Sequence, residues 1–235
     1  MKVEKITMAI LAFTLCLAVI VHIINTSQLK ETLGNAEKGS GYVVVLDAGH
    51  GGMDPGKVGI HGEIEKDLNL EITLWVKKYL EMDDVQVVLT RDSDEGLYDA
   101  NASNKKVQDM KNRVAIIEET GPALTVSIHQ NSYPEEYVHG AQVFYYTGSA
   151  ESKKLAEKIQ NRLVVGVDPD NTRQIKANDS YYLLKKTPTP IVIVECGFLS
   201  NSEEAKKLTD PSYQKKLAWE IHLGILQYLN ETDRK

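Results

Sequence analysis

The sequence predicts an α/β fold: a single three-layer α/β/α domain around a mixed, largely parallel central sheet, preceded by an N-terminal membrane anchor or signal segment. Three observations predict it. Short aliphatic runs such as Val43-Val44-Val45-Leu46 and Ile191-Val192-Ile193-Val194 show no polar alternation, as expected of strands covered on both faces. Amphipathic stretches of helical period lie between such runs, which places helices on both faces of the sheet. Residues 6–24 hold no Asp, Glu, Lys or Arg. As a helix that run would be ~28 Å long, close to a bilayer's hydrocarbon thickness.

The elements follow in order. Lys2 and Lys5 precede the apolar run and a mixed-charge segment follows it, so a cytoplasmic N-terminus and an exported remainder are expected. No small-x-small cleavage pattern follows the run directly, which favours an uncleaved signal anchor over residues 1–25. Residues 26–41 read as a polar linker and 42–235 as the globular domain. Tyr42 to Leu46 is a strand and Asp47 to Gly62 a glycine-rich loop. Glu65 to Glu81 is a helix, with Leu68, Ile72, Trp75, Val76 and Tyr79 on one face. Val85 to Thr90 is a strand and Asp92 to Lys106 a polar loop. Val107, Met110, Val114 and Ile117 mark a helix stopped near Gly121-Pro122. Ala123 to Ile128 and Ala141 to Tyr146 are strands, Ser149 to Val164 a helix. Tyr181 to Leu184 and Ile191 to Val194 are expected as strands, and Tyr213 to Leu229 as the last helix.

Composition bounds the function. Net charge is −6, with 42% hydrophobic and 26% charged residues. These are ordinary globular values, and with no basic aromatic stripe they exclude a nucleic-acid partner. The two cysteines, Cys16 and Cys196, lie in unrelated contexts, so no disulfide is expected. Cys196 reads as a small buried strand residue rather than a nucleophile.

Four residues carry the chemistry. His50 and His129 each follow an apolar run, Glu195 ends one, and Glu65 opens a helix behind the glycine loop. In an open α/β sheet the carboxyl ends of strands share one edge, and ligands bind there. Two His and one Glu can hold a catalytic zinc with an open position, while a second Glu moves the proton. Taken singly each residue has a plain structural role, and Glu63 competes with Glu65 by position. The conjunction points to a zinc hydrolase. His222 reads as structural, and His139-Gly140 as lining the cleft. Asn131 and Arg91 are weaker candidates for substrate contacts, with an Arg91 ion pair to Asp92 or Asp94 as the structural alternative. There is no nucleophile elbow, Walker loop or dinucleotide-binding glycine motif.

Four segments together resemble the zinc-dependent N-acetylmuramoyl-L-alanine amidases of the amidase-3 type. They are Asp47-Ala48-Gly49-His50-Gly51-Gly52-Met53-Asp54-Pro55-Gly56, Gly62-Glu63-Ile64-Glu65-Lys66-Asp67, Ser127-Ile128-His129-Gln130-Asn131 and Val194-Glu195-Cys196-Gly197-Phe198-Leu199-Ser200-Asn201. The similarity keeps motif order from about Tyr42 to Leu229; Ala48 departs from it where many members have Pro. The resemblance implies Zn2+ on His50, Glu65 and His129, selects Glu65 over Glu63, and makes Glu195 the catalytic acid/base. It implies a peptidoglycan substrate, cut between the muramic lactyl group and L-alanine. A short chain with an N-terminal anchor and no wall-binding repeats is most similar to the family's sporulation members, which act in spore cortex. That form implies contact with the membrane, an extracytoplasmic location and room for an accessory activating protein. Two rival classes remain: a non-catalytic peptidoglycan-binding protein on the same fold, and a zinc peptidase acting within the stem peptide.

Overall fold

The structure, a computed structural model, describes residues 41–232; the expected anchor at 1–25 and nearly all of the linker lie outside the described residues. Six strands form one sheet: β1 (Val43–Ala48), β2 (Gln86–Leu89), β3 (Leu124–Asn131), β4 (Gln142–Tyr146), β5 (Lys176–Asn178) and β6 (Ile191–Phe198). Their order is β2-β1-β3-β6-β4-β5. The first four strands of that order run parallel; β4 is antiparallel to β6, and β5 is parallel to β4. The expected α/β/α domain with a mixed, largely parallel sheet is what the chain forms.

The helices are α1 (Glu65–Met82), α2 (Lys105–Thr120), α3 (Ala150–Gly166), α4 (Tyr182–Lys186), α5 (Ser202–Leu208) and α6 (Pro211–Thr232). Both faces of the strands are used. Val44, Leu46, Val126, Ile128, Val192 and Val194 pack under α1, α3 and α6. Val45, Ile191 and Ile193 point the other way, against Val114 and Ile117 of α2 and Leu183 and Leu184 of α4. The lack of polar alternation has this cause: each side chain of a doubly covered strand enters one core or the other.

Helix starts are set by local chemistry. Asn104 accepts from the Val107 amide (3.1 Å) to cap α2, and Ser149 from the Ser152 amide (3.1 Å) to cap α3. Gly121 ends α2 at φ 55°, the left-handed position glycine takes without strain. In α1, Leu68, Ile72, Val76 and Leu80 form the buried stripe. Two buried polar residues, Asn69 and Thr73, interrupt it on the same side.

One expectation is overturned. Tyr181 to Leu184 is not a strand: Tyr182–Lys186 is a short helix. A four-residue apolar run fits a buried strand or a helical turn equally well, and tertiary context decides. Here Leu183 and Leu184 both cap the second core from outside the sheet. The strand next to β4 is the preceding polar triplet Lys176–Asn178, which carries no apolar signal. Helix α5 was equally silent as a pattern, although Asn201 accepts from the amides of Glu203 and Glu204 at its start.

Candidate metal centre and active-site cleft

The four residues converge on one cleft of about 840 Å³. Strand β1 ends at Ala48 and delivers His50; β3 delivers His129; β6 delivers Glu195; the first residue of α1 is Glu65. His129 and Glu195 are direct neighbours in the β3–β6 register. The register shifts between His129 and Asn131, a bulge of the kind that re-aims side chains beside active sites. Glu195 lies inside a strand that runs on to Phe198, four residues past the expected end at Val194.

His50, Glu65 and His129 can hold a metal ion: one ligand atom from each lies within 4.8 Å of the others. His50 Nε2 is 3.2 Å and His129 Nδ1 3.0 Å from the same Glu65 oxygen, Oε1. That oxygen also lies 3.2 Å from the Gln130 amide and 3.3 Å from Asn69 Nδ2. Four nitrogens around one carboxylate oxygen exceed its lone pairs. A cation between the rings resolves the crowding, because each imidazole would then present a lone pair instead of an N–H. Mixed imidazole and carboxylate donors suit zinc among other divalent ions.

Partners outside the donor set fix His50 and Glu65. Asp54 Oδ2 holds His50 Nδ1 at 3.0 Å, leaving Nε2 toward Glu65. The Lys57 amide donates to Glu65 Oε2 at 2.8 Å. Asn69 also donates to the Gly49 carbonyl (3.1 Å) and accepts from Gln130 Nε2 (3.2 Å). Two glycines are required by contact: a Cβ on Gly49 would sit 2.2 Å from the His129 ring, and one on Gly56 2.5 Å from Glu65 Oε2. His50 itself has φ 63°, a strained value for a residue with a side chain.

Two buried arginines brace this loop. Arg113 donates from Nη1 to Asp47 (2.6 Å) and the Ala48 carbonyl (2.8 Å), and from Nη2 to the His50 carbonyl (2.6 Å). Arg91 donates to the carbonyls of Ala48 (2.9 Å), Gly49 (3.0 Å), Lys66 (2.8 Å) and Ser93 (2.9 Å). Of the two readings of Arg91, the geometry supports the structural one: Arg91 is not among the cleft-lining residues, and its guanidinium serves main-chain carbonyls, with the charge of Asp94 nearby. Arg113 escaped the sequence reading. The available signal was its place between Met110, Val114 and Ile117 on the apolar face of α2. Asn69, four residues after Glu65 on the buried face of α1, gave the same kind of signal.

Electrostatics separate the two glutamates. Burial works to raise Glu65, but hydrogen bonds and charge from His129 and His50 outweigh it and hold the group well below the usual carboxylate range. Burial pulls His129 down, yet its contact with Glu65 and the charges of Glu195 and Asp47 leave it raised. Glu195 is pushed up to about 7, first by burial and then by the nearby Glu65 charge, against the pull of His129 and His50. Its Oε2 is buried with no hydrogen-bond partner among the described residues. An unsatisfied buried carboxylate is costly, and one facing a cleft is held ready for an incoming group.

The other expectations resolve simply. Asn131 lines the cleft. His139 is not among the cleft-lining residues, a correction; its carbonyl accepts from Arg173 at 2.6 Å. His222 is buried and its Nε2 lies 2.6 Å from Asp83, so it is structural. Cys196 is a free thiol that burial pushes up, and it is no nucleophile.

Comparison with known proteins agrees with the geometry. Residues 44–227 match the Amidase_3 family model, described as N-acetylmuramoyl-L-alanine amidase. The germination-specific N-acetylmuramoyl-L-alanine amidase of Bacillus subtilis is 40% identical, over 82% of this chain and 81% of that protein. The CwlD amidase of Clostridioides difficile, solved in complex with the GerS lipoprotein, is 42% identical with a TM-score of 0.79, over 81% of this chain and 99% of that one. A further N-acetylmuramoyl-L-alanine amidase, from Clostridium difficile 630, is 32% identical with a TM-score of 0.72, over 80% and 97%. With the His-Glu-His cluster, the adjacent buried glutamate and this match over most of its length, the chain belongs to the Amidase_3 family of N-acetylmuramoyl-L-alanine amidases.

Proposed function

We propose that this amidase hydrolyses the bond between the muramic lactyl group and L-alanine, with zinc held by His50, Glu65 and His129 and with Glu195 as general acid/base. The observation that carries the reading is the pairing, in one cleft, of a His-Glu-His donor set with a buried, unpartnered glutamate one strand away. Zinc, when bound there, supplies Lewis acidity toward the amide carbonyl and toward water.

The remaining work falls to the chain's own residues. Glu195, buried in the cleft wall beside the donor set with Oε2 unpartnered, is placed to receive a proton from the attacking water and return it to the leaving alanine nitrogen. Asp54, Asn69 and the amides of Lys57 and Gln130 keep the donor atoms aimed without rearrangement. Asn131 offers a side-chain amide to the substrate backbone from the cleft wall.

Glu195→Gln should lower turnover by about 10²–10⁴ while zinc content stays at the wild-type level. The checks are muropeptide mass spectrometry and metal analysis of the same preparation. Loss of zinc in that variant would make Glu195 a ligand and overturn its assigned role. Cleavage that frees peptides lacking the alanine amine end would indicate a peptidase.

The place of action is part of the same proposal. Similarity to a germination-specific amidase and to CwlD supports a role in spore cortex, where removal of the stem peptide precedes muramic δ-lactam formation. That neighbour's complex with a lipoprotein supports an accessory partner here. The uncharged run at 6–24 supports anchorage outside the cytoplasm. Among the described residues no helix is long and apolar enough to cross a membrane. Gene deletion followed by cortex analysis tests the role, and unchanged δ-lactam content would refute it.

A further inference from the structure

The charges lining the cleft are unevenly distributed. On the side formed by the 49–57 loop and the start of α2, the lining includes Lys57, Lys105 and Lys106. The part contributed by Tyr181, Tyr182 and Leu183 carries no formal charge at neutral pH. Of the lining carboxylates, Glu65 faces His50 and His129, Glu195 stands buried beside them, and Asp47 and Asp109 are committed to Arg113, at 2.6 and 2.7 Å. Asp54 is shared between His50 and Lys106, at 3.0 and 3.4 Å. Lys57 and Lys105 have no carboxylate partner among the described residues. Lys105 Nζ rests 3.3 Å from the Met53 sulfur and 5.6 Å from the centre of the Tyr98 ring, which are weak partners for an ammonium group.

The fold gives no reason for this placement. Lys105 and Lys106 occupy the first turn of α2, where no acidic residue stands and where the helix dipole disfavours positive charge. The whole chain carries −6, so two unneutralised ammonium groups in the cleft run against its average. Lys57 and Lys105 line the same cleft as His50, Glu65, His129 and Glu195. The backbone of Lys57 is itself tied to the site, its amide hydrogen-bonding Glu65.

We propose that Lys57 and Lys105 bind a free carboxylate of the stem peptide, on the residue following the alanine whose amide is cut. The inference rests on the amidase reading above. It makes the enzyme selective for acidic stem peptides over their amidated forms. The contact is made by the ammonium groups, with Lys106 held back by Asp54 as a supporting charge. A carboxylate from substrate would replace the sulfur and ring contacts of Lys105 with a charge-assisted hydrogen bond.

The test uses the zinc-loaded full chain and two muramoyl peptides. In one, the residue after alanine bears a free carboxylate; in the other, that carboxylate is amidated. Wild type should favour the acidic peptide by about tenfold in kcat/KM at low salt, mainly through KM, because each lysine contributes up to roughly fivefold. The preference should shrink as ionic strength rises. Lys57→Gln/Lys105→Gln should bring the ratio close to one, and Lys105→Arg should preserve it. A wild-type ratio near one, or a ratio that survives in the double variant, overturns the proposal and leaves Lys105 as a cover for Met53 and Tyr98. Absence of free stem peptide from both compounds would overturn the amidase reading, and this inference with it.

Discussion

His50 shows how a single residue is prepared for its task. Its backbone is held at φ 63° because Arg113 fixes its carbonyl and Asp54 fixes its ring. Asp54→Ala should weaken metal affinity about 10–100-fold, read by competition against a chelator, since the ring loses the partner that sets its tautomer. Glu195 makes a second prediction, about pH. Its folded pKa is about 7 against an ordinary 4.5, so the native state binds the extra proton. The stability this gives is fully present below pH 4.5 and is lost as pH rises through 7, on the order of 3 kcal/mol at most. Metal-free wild type should therefore melt lower at pH 8 than at pH 5. Glu195→Gln should flatten that slope, and equal slopes in the two proteins would count against a buried, proton-holding Glu195.

At the scale of elements, the active-site loop is held by its neighbours more than by itself. Helix α2 sends Arg113 and the residues after β2 send Arg91 into the carbonyls of residues 48–50. The pair Arg113–Asp47 is buried, with Asp47 also accepting from Thr90 (2.7 Å) and Ser127 (2.5 Å). Arg113→Ala would strand Asp47 as a lone buried charge, so a loss of about 3–5 kcal/mol in denaturant unfolding is expected. Burial works against Asp47's charge, yet Arg113, Ser127 and Thr90 bring it down to about 2. Its contribution is present above pH 3.8 and is lost as pH falls through about 2, which adds to acid unfolding. Asp47→Asn should show a shallower acid transition in thermal melts. Gly49→Ala would drive a methyl group into the His129 ring, so metal binding should fall sharply even if the domain still folds.

The whole molecule brings together groups from four separate segments, which exist as a site only when the sheet is complete. Metal therefore binds the native state and not the unfolded chain, and the binding free energy adds to folding stability. Zinc at a hundred times its dissociation constant should raise stability by about 2.7 kcal/mol, visible as a higher Tm that chelator reverses. An unchanged Tm on addition of zinc would contradict the assigned ligand set. The two cores on opposite sheet faces explain why this geometry is stiff: α1, which carries Glu65, is locked through Leu68, Ile72, Val76 and Leu80 against β1, β3 and α6. Ile72→Ala, some distance from the chemistry, should cost about 2–5 kcal/mol and weaken metal binding through α1.

The sequence alone determined the fold class and most elements, and it singled out His50, His129 and Glu195 as candidates, with Glu65 preferred to Glu63 by the family resemblance. The elements rest on local information, since doubly buried strands read as unbroken aliphatic runs, and the candidates stand where such runs end. Tertiary structure decided what depends on partners distant in the chain. It turned Leu183 and Leu184 into a helix, because they cap a core formed by Val114, Ile117, Ile191 and Ile193. It made Lys176–Asn178 a strand because β4 offered an edge for pairing. It assigned Arg91 to backbone carbonyls and brought Arg113 and Asn69 to the loop that carries His50 across sixty-odd and twenty residues of sequence, respectively. A polar residue on an apolar face shows in the sequence only that some partner must satisfy it. Which partner does so depends on how the folded chain brings distant groups within hydrogen-bond reach.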